Sequence, residues 1–133
     1  MSLVKYVHGR YVHHRRVHVL SERLAALMPP DARILDVGCG DGLLAALIGQ
    51  KRLDVELQGI DVLLREQVHI PVERFDGQSL PYTNASFDVV MFVDVLHHTE
   101  NPMILLREAK RVARRAIVIK DHCRNGPTGG NVR

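Results

Sequence analysis

Apolar residues follow two rhythms along the 133-residue chain, and these alternate from one end to the other. From Val12 to Met28 the residues Val17, Leu20, Leu24, Leu27 and Met28 recur three and four apart, the spacing of one helix face. Residues 1–11, with Tyr6, Gly9 and Tyr11, lack any such rhythm and are expected to form an irregular arm. Pro29-Pro30 stops the helix, because proline cannot donate and its ring clashes with the preceding turn. Short apolar runs at Arg33–Val37, Val55–Ile60, Ile70–Phe75 and Ala116–Ile119 read as strands. The run Phe87 to Val95, broken only by Asp88 and Asp94, is apolar on both faces and belongs at the centre of a parallel sheet. Between the strands, Asp41 to Gly49 predicts a helix. Asn101-Pro102 predicts the start of another, with Asn as cap, Pro at the first position and a stripe of Leu105, Leu106, Ala109, Val112 and Ala113. Leu63 to His69 has room for no more than about two helical turns. Strands alternating with helices imply an α/β fold with right-handed crossovers and helices on both faces of the sheet.

Such sheets bind ligands beyond the carboxyl ends of their strands. The residues there are Asp36 to Gly42, Asp61-Val62, Asp76-Gly77 and Val93 to His98. The glycine turn Gly38-Cys39-Gly40-Asp41-Gly42 lets backbone approach a ligand and opens a helix whose N-terminus favours an anionic group. A dinucleotide fingerprint would want glycine where Leu43 stands, which demotes a dehydrogenase. Asp61 lies 21 residues beyond Gly40, where a carboxylate can accept hydrogen bonds from ribose hydroxyls. Taken singly, Asp36, Asp61 and Asp76 are also common turn formers.

Charge sharpens this picture. Residues 31–100 carry 12 acidic and 5 basic side chains, whereas the flanks carry 3 acidic and 13 basic. An acidic centre suits a cationic ligand better than a pyrophosphate. The basic flanks are read first as solvated helix faces and secondly as a surface for an anionic partner. Cys39 and Cys123 make no disulfide framework or zinc spacing, and His14 with His18 lacks the further ligands of a metal site, so no metal is expected. No stretch is long enough to span a membrane, and the N-terminal residues do not resemble a leader. The expected location is the cytoplasm.

Asp36-Val37-Gly38-Cys39-Gly40 after the first strand, Asp61 after the second and Asp76-Gly77 after the third resemble class I S-adenosylmethionine-dependent methyltransferases. Phe75-Asp76-Gly77-Gln78-Ser79-Leu80-Pro81, Ser86-Phe87-Asp88-Val89-Val90 and Val95-Leu96-His97-His98 are similar to the small-molecule branch that includes quinone-biosynthesis enzymes. The resemblance runs over residues 12–122, with an arm at 1–11 before it and a flexible, glycine-rich tail at 123–133 after it. It implies an open, Rossmann-like sheet of order 3-2-1-4-5 and S-adenosylmethionine as cofactor. Asp36, Gly38, Cys39 and Gly40 would hold the methionine half, Asp61 the ribose and Val62 the adenine face. Asp76 and Gly77 would meet the adenine amino group, and Val93 and Asp94 would line the methionine side through their backbone. Methyl transfer to a small-molecule acceptor is then the expected activity, with His97 and His98 as candidates for a base. Tyr6, Tyr11 and Tyr82 could line the substrate mouth. The family's sheet normally continues past the fifth strand with a further helix and an antiparallel strand pair, which the tail cannot build. That suggests a fragment or a short member, with a sheet edge open to a partner or a homodimer. The alternatives are a non-catalytic cofactor-binding module completed by such a partner and, on the basic flanks, a nucleic-acid methyltransferase.

Overall fold

All five strands run parallel, in the order β3-β2-β1-β4-β5, in a computed structural model that describes residues 3–121, with side chains from residue 15 onward. The elements are α1 (Leu3–Leu27), β1 (Arg33–Val37), α2 (Leu43–Lys51), β2 (Glu56–Asp61), β3 (Val72–Arg74), β4 (Phe87–Val93), a 3-10 turn at Leu96–His98, α3 (Pro102–Val112) and β5 (Ala113–Lys120). The strand order and open parallel sheet are those expected.

Alternation along the central strands divides the core in two, since successive side chains of a strand point to opposite faces. Ile34 of β1 with Val89 and Met91 of β4 faces α1 and α2, where Leu24, Ala25, Met28, Ala45 and Ile48 are buried. Leu35 and Val37 with Val90 and Phe92 face α3, where Leu105, Ala109 and Val112 are buried. β4 pairs with both β1 and β5 and buries Phe87, Val89, Val90, Met91 and Phe92, as its apolar run requires. It ends at Val93, because Asp94 turns out of the strand at φ 56°.

Several expectations give way to packing. α1 begins at Leu3, not Val12, so helical backbone replaces the expected irregular arm; periodicity detects only the part of a helix that is buried. Leu27, expected in the buried stripe, is 63% exposed, and the inner face is Leu24, Ala25 and Met28 with the fully buried Ser21, whose hydroxyl donates to the His18 carbonyl. β3 is only three residues long, and no helix forms between Val62 and Pro71. β5 starts three residues before the predicted Ala116, because α3 passes straight into it. Asn101 gives α3 no side-chain cap; its carbonyl accepts from the Ile104 N–H at 3.2 Å, while Pro102 takes the first position as expected.

Glu108 and Arg111 lie on α3 beside its apolar stripe and are half-buried in a clamp. Arg111 donates to the carbonyls of Leu80 (2.8 Å) and Tyr82 (2.7 Å) and to Asn84 Oδ1 (3.0 Å), and pairs with Glu108. Glu108 in turn accepts from the Leu80 N–H at 2.9 Å. This clamp fixes the loop that follows Asp76-Gly77. His14, Cys123 and the tail at 123–133 lie outside the described residues or side chains, as do the side chains of Tyr6 and Tyr11.

Candidate ligand-binding site

The glycine turn leaves β1 under tight steric control. Gly38 sits at φ 74°, and a Cβ there would lie 2.6 Å from Val95 Cγ2, so both backbone conformation and space require glycine. Its N–H donates to the Ile60 carbonyl at 2.7 Å, tying the turn to the end of β2. Asp61 completes that tie: Oδ2 accepts from the Gly40 N–H at 2.7 Å and Oδ1 from the Val62 N–H at 2.7 Å. Oδ1 also accepts from the Leu63 N–H at 3.4 Å. A carboxylate has about four acceptor positions, so Asp61 keeps about one for a hydroxyl donor after shaping the turn. Cys39 lines neither of the two clefts described below, and its sulfur sits against Gly59. A Cβ on Gly59 of β2 would come within 2.5 Å of its sulfur, so Cys39 offers a ligand only its backbone.

Asp36 is the outstanding charge. It is 3% exposed, and among the described residues no hydrogen bond or ion pair engages its side chain. Burial first, and the nearby Asp61 carboxylate second, push its carboxyl up to about 7. An ionised acid in this position calls for a cation, which would draw the value back down. Burial, Asp36 and Asp61 also push the Cys39 thiol up to about 12, which removes it as a nucleophile near neutrality.

The strand ends enclose a cleft of about 310 Å³, lined by Gly38, Asp61, Val62, Phe75, Gly77, Asp94, Val95, His98, Thr99 and Leu105 along with Val37. Its walls are largely apolar, and polar groups converge on it from β1, β2 and β4. A second cleft of about 230 Å³ adjoins it through Gly77, His98 and Thr99 and reaches Asp76 and Asn101. Asp76 Oδ1 accepts from the Gln78 and Ser79 N–H groups, both at 2.8 Å, and these bonds hold its carboxyl below the usual range. Asp94 is tied to β5: its N–H donates to the Lys120 carbonyl at 2.7 Å, and Lys120 Nζ donates to both carboxylate oxygens at 3.2 and 3.3 Å. His97 is held by Asp121 through Nδ1 and through its backbone N–H, and its ring stacks on that of His98 with centroids 3.8 Å apart.

The fold thus brings Gly38, Asp61, Val62, Gly77 and Asp94 to one cleft and Asp76 to the next, while Asp36, buried in β1 two residues before Gly38, lines neither. Val93 packs its side chain into the core. Tyr82 packs edge-on against Phe87 and donates to Glu73 at 2.6 Å, so it belongs to the core rim and lines neither cleft. The apolar walls Phe75 and Leu105 were missed as site residues, because an apolar residue at a strand end or helix start looks like core; Val95 lay within the strand-end run Val93 to His98 without a role of its own. Thr99, whose hydroxyl donates to the Val95 carbonyl at 3.2 Å, carried no motif at all. Among the described residues no group of three or more His, Cys, Asp or Glu side chains is placed to hold a metal ion. No helix among them is long and apolar enough to cross a membrane.

Comparison with known proteins bears on what this cleft holds. A family model described as a methyltransferase domain matches residues 10–126. The chain is similar to a 27-O-demethylrifamycin SV methyltransferase of Amycolatopsis mediterranei, 34% identical over 110 residues, covering 71% of this chain and 40% of that protein. It is also similar to a ubiquinone biosynthesis O-methyltransferase of Cereibacter sphaeroides, 28% identical over 120 residues, covering 73% of this chain and 47% of the relative. The chain thus spans less than half the length of either relative. A crystal structure of a SAM-dependent methyltransferase from Aquifex aeolicus superposes with a TM-score of 0.67 at 19% identity, over 84% of this chain and 68% of the other, a likeness of fold.

Proposed function

The chain belongs to the methyltransferase-domain family, and on that premise we propose that its cleft binds S-adenosylmethionine for methyl transfer to a small-molecule acceptor by in-line displacement. The observation that carries this reading is Asp36: a buried carboxylate, without a cation among the described residues, leading into a glycine turn where Gly38 and Gly42 leave no room for a Cβ. The donor groups of the cofactor suit what surrounds it. Asp36 is the partner for the ammonium, and the acceptor position left on Asp61 suits a ribose hydroxyl. Val62 and Phe75 offer apolar surface to the adenine, and Asp76 with Gly77 lies at the far end for its amino group. Gly38, Cys39, Gly40, Val93 and Asp94 contribute backbone.

Bound there, S-adenosylmethionine supplies a methyl group on a sulfonium, an electrophile with its leaving group built in. The chain's own work is to bind, orient and exclude water. Holding reacting groups in line is worth about 7–11 kcal/mol. Of the two histidines, His98 lines both clefts, and it is the group we assign to accept the proton released by a hydroxyl acceptor. His97, itself held by Asp121, stacks against its ring. The names of the relatives, O-methyltransferases of a rifamycin and of a ubiquinone precursor pathway, support a small organic acceptor. Cytoplasmic location follows as part of this reading.

Calorimetric titration with S-adenosylhomocysteine tests it. Micromolar binding is expected, and Asp61→Ala should weaken it at least about tenfold by removing a hydroxyl acceptor and loosening the turn. A chain that ignores S-adenosylhomocysteine sinks the proposal. The second reading, a cofactor-binding module completed by a partner, is favoured by the outer edge of β5, which pairs with no strand among the described residues. It predicts binding without turnover until the partner is added.

A further inference from the structure

The connection from β2 to β3 is the least ordinary part of the molecule. It crosses between parallel strands without a helix, and from Val62 to His69 every residue is exposed. Its ends are nevertheless pinned. At the start, Asp61 accepts from the Val62 N–H. At the far end the His69 N–H donates to the Asp41 carbonyl at 2.8 Å, and Ile70 packs so closely over the glycine turn that a Cβ on Gly42 would lie 2.6 Å from Ile70 Cγ1. The connection is therefore a strap laid beside the glycine turn.

From this strap Arg65 reaches back over Gly40. A Cβ on Gly40 would have the Arg65 guanidinium as its nearest neighbour, with Nη2 at 3.7 Å, Nη1 at 3.8 Å and Cζ at 3.9 Å. Among the described residues the guanidinium makes no ion pair, although it lies next to the acidic turn. The same turn leads into the N-terminus of α2, where Gly42 provides no side-chain cap. A buried carboxylate and an unpaired guanidinium thus stand around one glycine turn with opposite charges, a pattern that matches the ammonium and carboxylate of an α-amino acid.

We infer that Arg65 is a specificity-determining residue that binds the carboxylate of the cofactor's amino-acid tail, while Asp36 binds its ammonium. The inference rests on the cofactor reading above. A planar guanidinium suits a carboxylate because it can donate two parallel hydrogen bonds. The strap's pinned ends hold the arginine's Cα near the turn, so the ordering required is that of one side chain. Ligands that keep the nucleoside but lack the tail forfeit this contact.

The test compares two ligands on three proteins. Affinities for S-adenosylhomocysteine and for 5′-methylthioadenosine, which has the nucleoside and sulfur but no amino-acid tail, are measured by calorimetry for the wild type, Arg65→Gln and Arg65→Glu. Arg65→Gln should weaken S-adenosylhomocysteine by about tenfold or more, as expected for loss of a charge-assisted hydrogen bond, and leave 5′-methylthioadenosine within about twofold. Arg65→Glu should widen the loss for the first ligand alone. Equal losses for both ligands would make Arg65 a mere support of the strap and overturn the inference. Unchanged or improved binding of S-adenosylhomocysteine would overturn it too. A wild type that binds neither ligand defeats the cofactor reading itself, an outcome visible before any variant is made. Arg65 is exposed, so circular dichroism should show all three proteins folded alike.

Discussion

At the scale of single residues the site depends on one unfavourable choice, a carboxylate buried where no group among the described residues offsets it. Asp36 has its carboxyl raised to about 7, chiefly by burial. An acid whose folded value lies above its unfolded value binds more protons folded than unfolded. Its contribution therefore favours the fold at low pH and is lost as pH rises from about 4 through about 7. Asp36→Asn keeps the shape and removes the charge. Chemical denaturation at about pH 8 should then find the variant more stable than the wild type by at least about 1 kcal/mol, with the difference shrinking towards about pH 5. The same variant should lose affinity for S-adenosylhomocysteine. A variant less stable at high pH would show that something else satisfies Asp36. The three carboxylates Asp36, Asp61 and Asp76 were legible from their positions after successive apolar runs. Arg65 was not, because an arginine in a polar loop carries no periodic signal and its reach over Gly40 exists only once the strap is folded.

At the scale of elements, α3 does more than cover one face of the sheet. Its Arg111 and Glu108 hold the loop after Asp76-Gly77 through bonds to Leu80, Tyr82 and Asn84. Arg111→Ala should lower stability by about 1–3 kcal/mol, since it leaves two carbonyls without their donor. It should also weaken ligands that carry adenine more than it weakens homocysteine-like fragments, a contrast that competition calorimetry can read. No difference between the two ligand types would confine the clamp to stability. Helical periodicity placed α3 correctly from Leu105, Ala109 and Val112. It is silent on Arg111, because a charged residue off the apolar stripe reads as solvated, whereas a guanidinium can bury its stem and satisfy several carbonyls at once. The same limit explains α1: the stripe beginning at Val17 marked where the helix meets α2, and the turns before it carry no such mark. β3 and the strap escaped for the opposite reason, since a three-residue strand and an irregular crossover have no period to detect.

At the scale of the whole molecule the parallel sheet gathers four strand ends at one edge, and Asp36, Asp61, Asp76 and Asp94 lie at that end. The topology was legible because β4 is apolar on both faces and the strands alternate with helices. The partner state was not, because backbone at a sheet edge is silent in sequence. β3 and β5 form the two edges, and β5 runs for eight residues with Ile119 half-exposed. An edge of that length is open to strand pairing. Sedimentation velocity should show the chain associating reversibly as its concentration rises; a constant monomer would remove the homodimer from the account. The central claim, that Asp36 and Asp61 hold an S-adenosyl cofactor under the glycine turn, is met most directly by a crystal structure with S-adenosylhomocysteine. The account predicts the ligand's ammonium on Asp36, a ribose hydroxyl on Asp61 and its adenine between Val62 and Gly77. A ligand bound elsewhere, or turned so that neither carboxylate touches it, would contradict that claim.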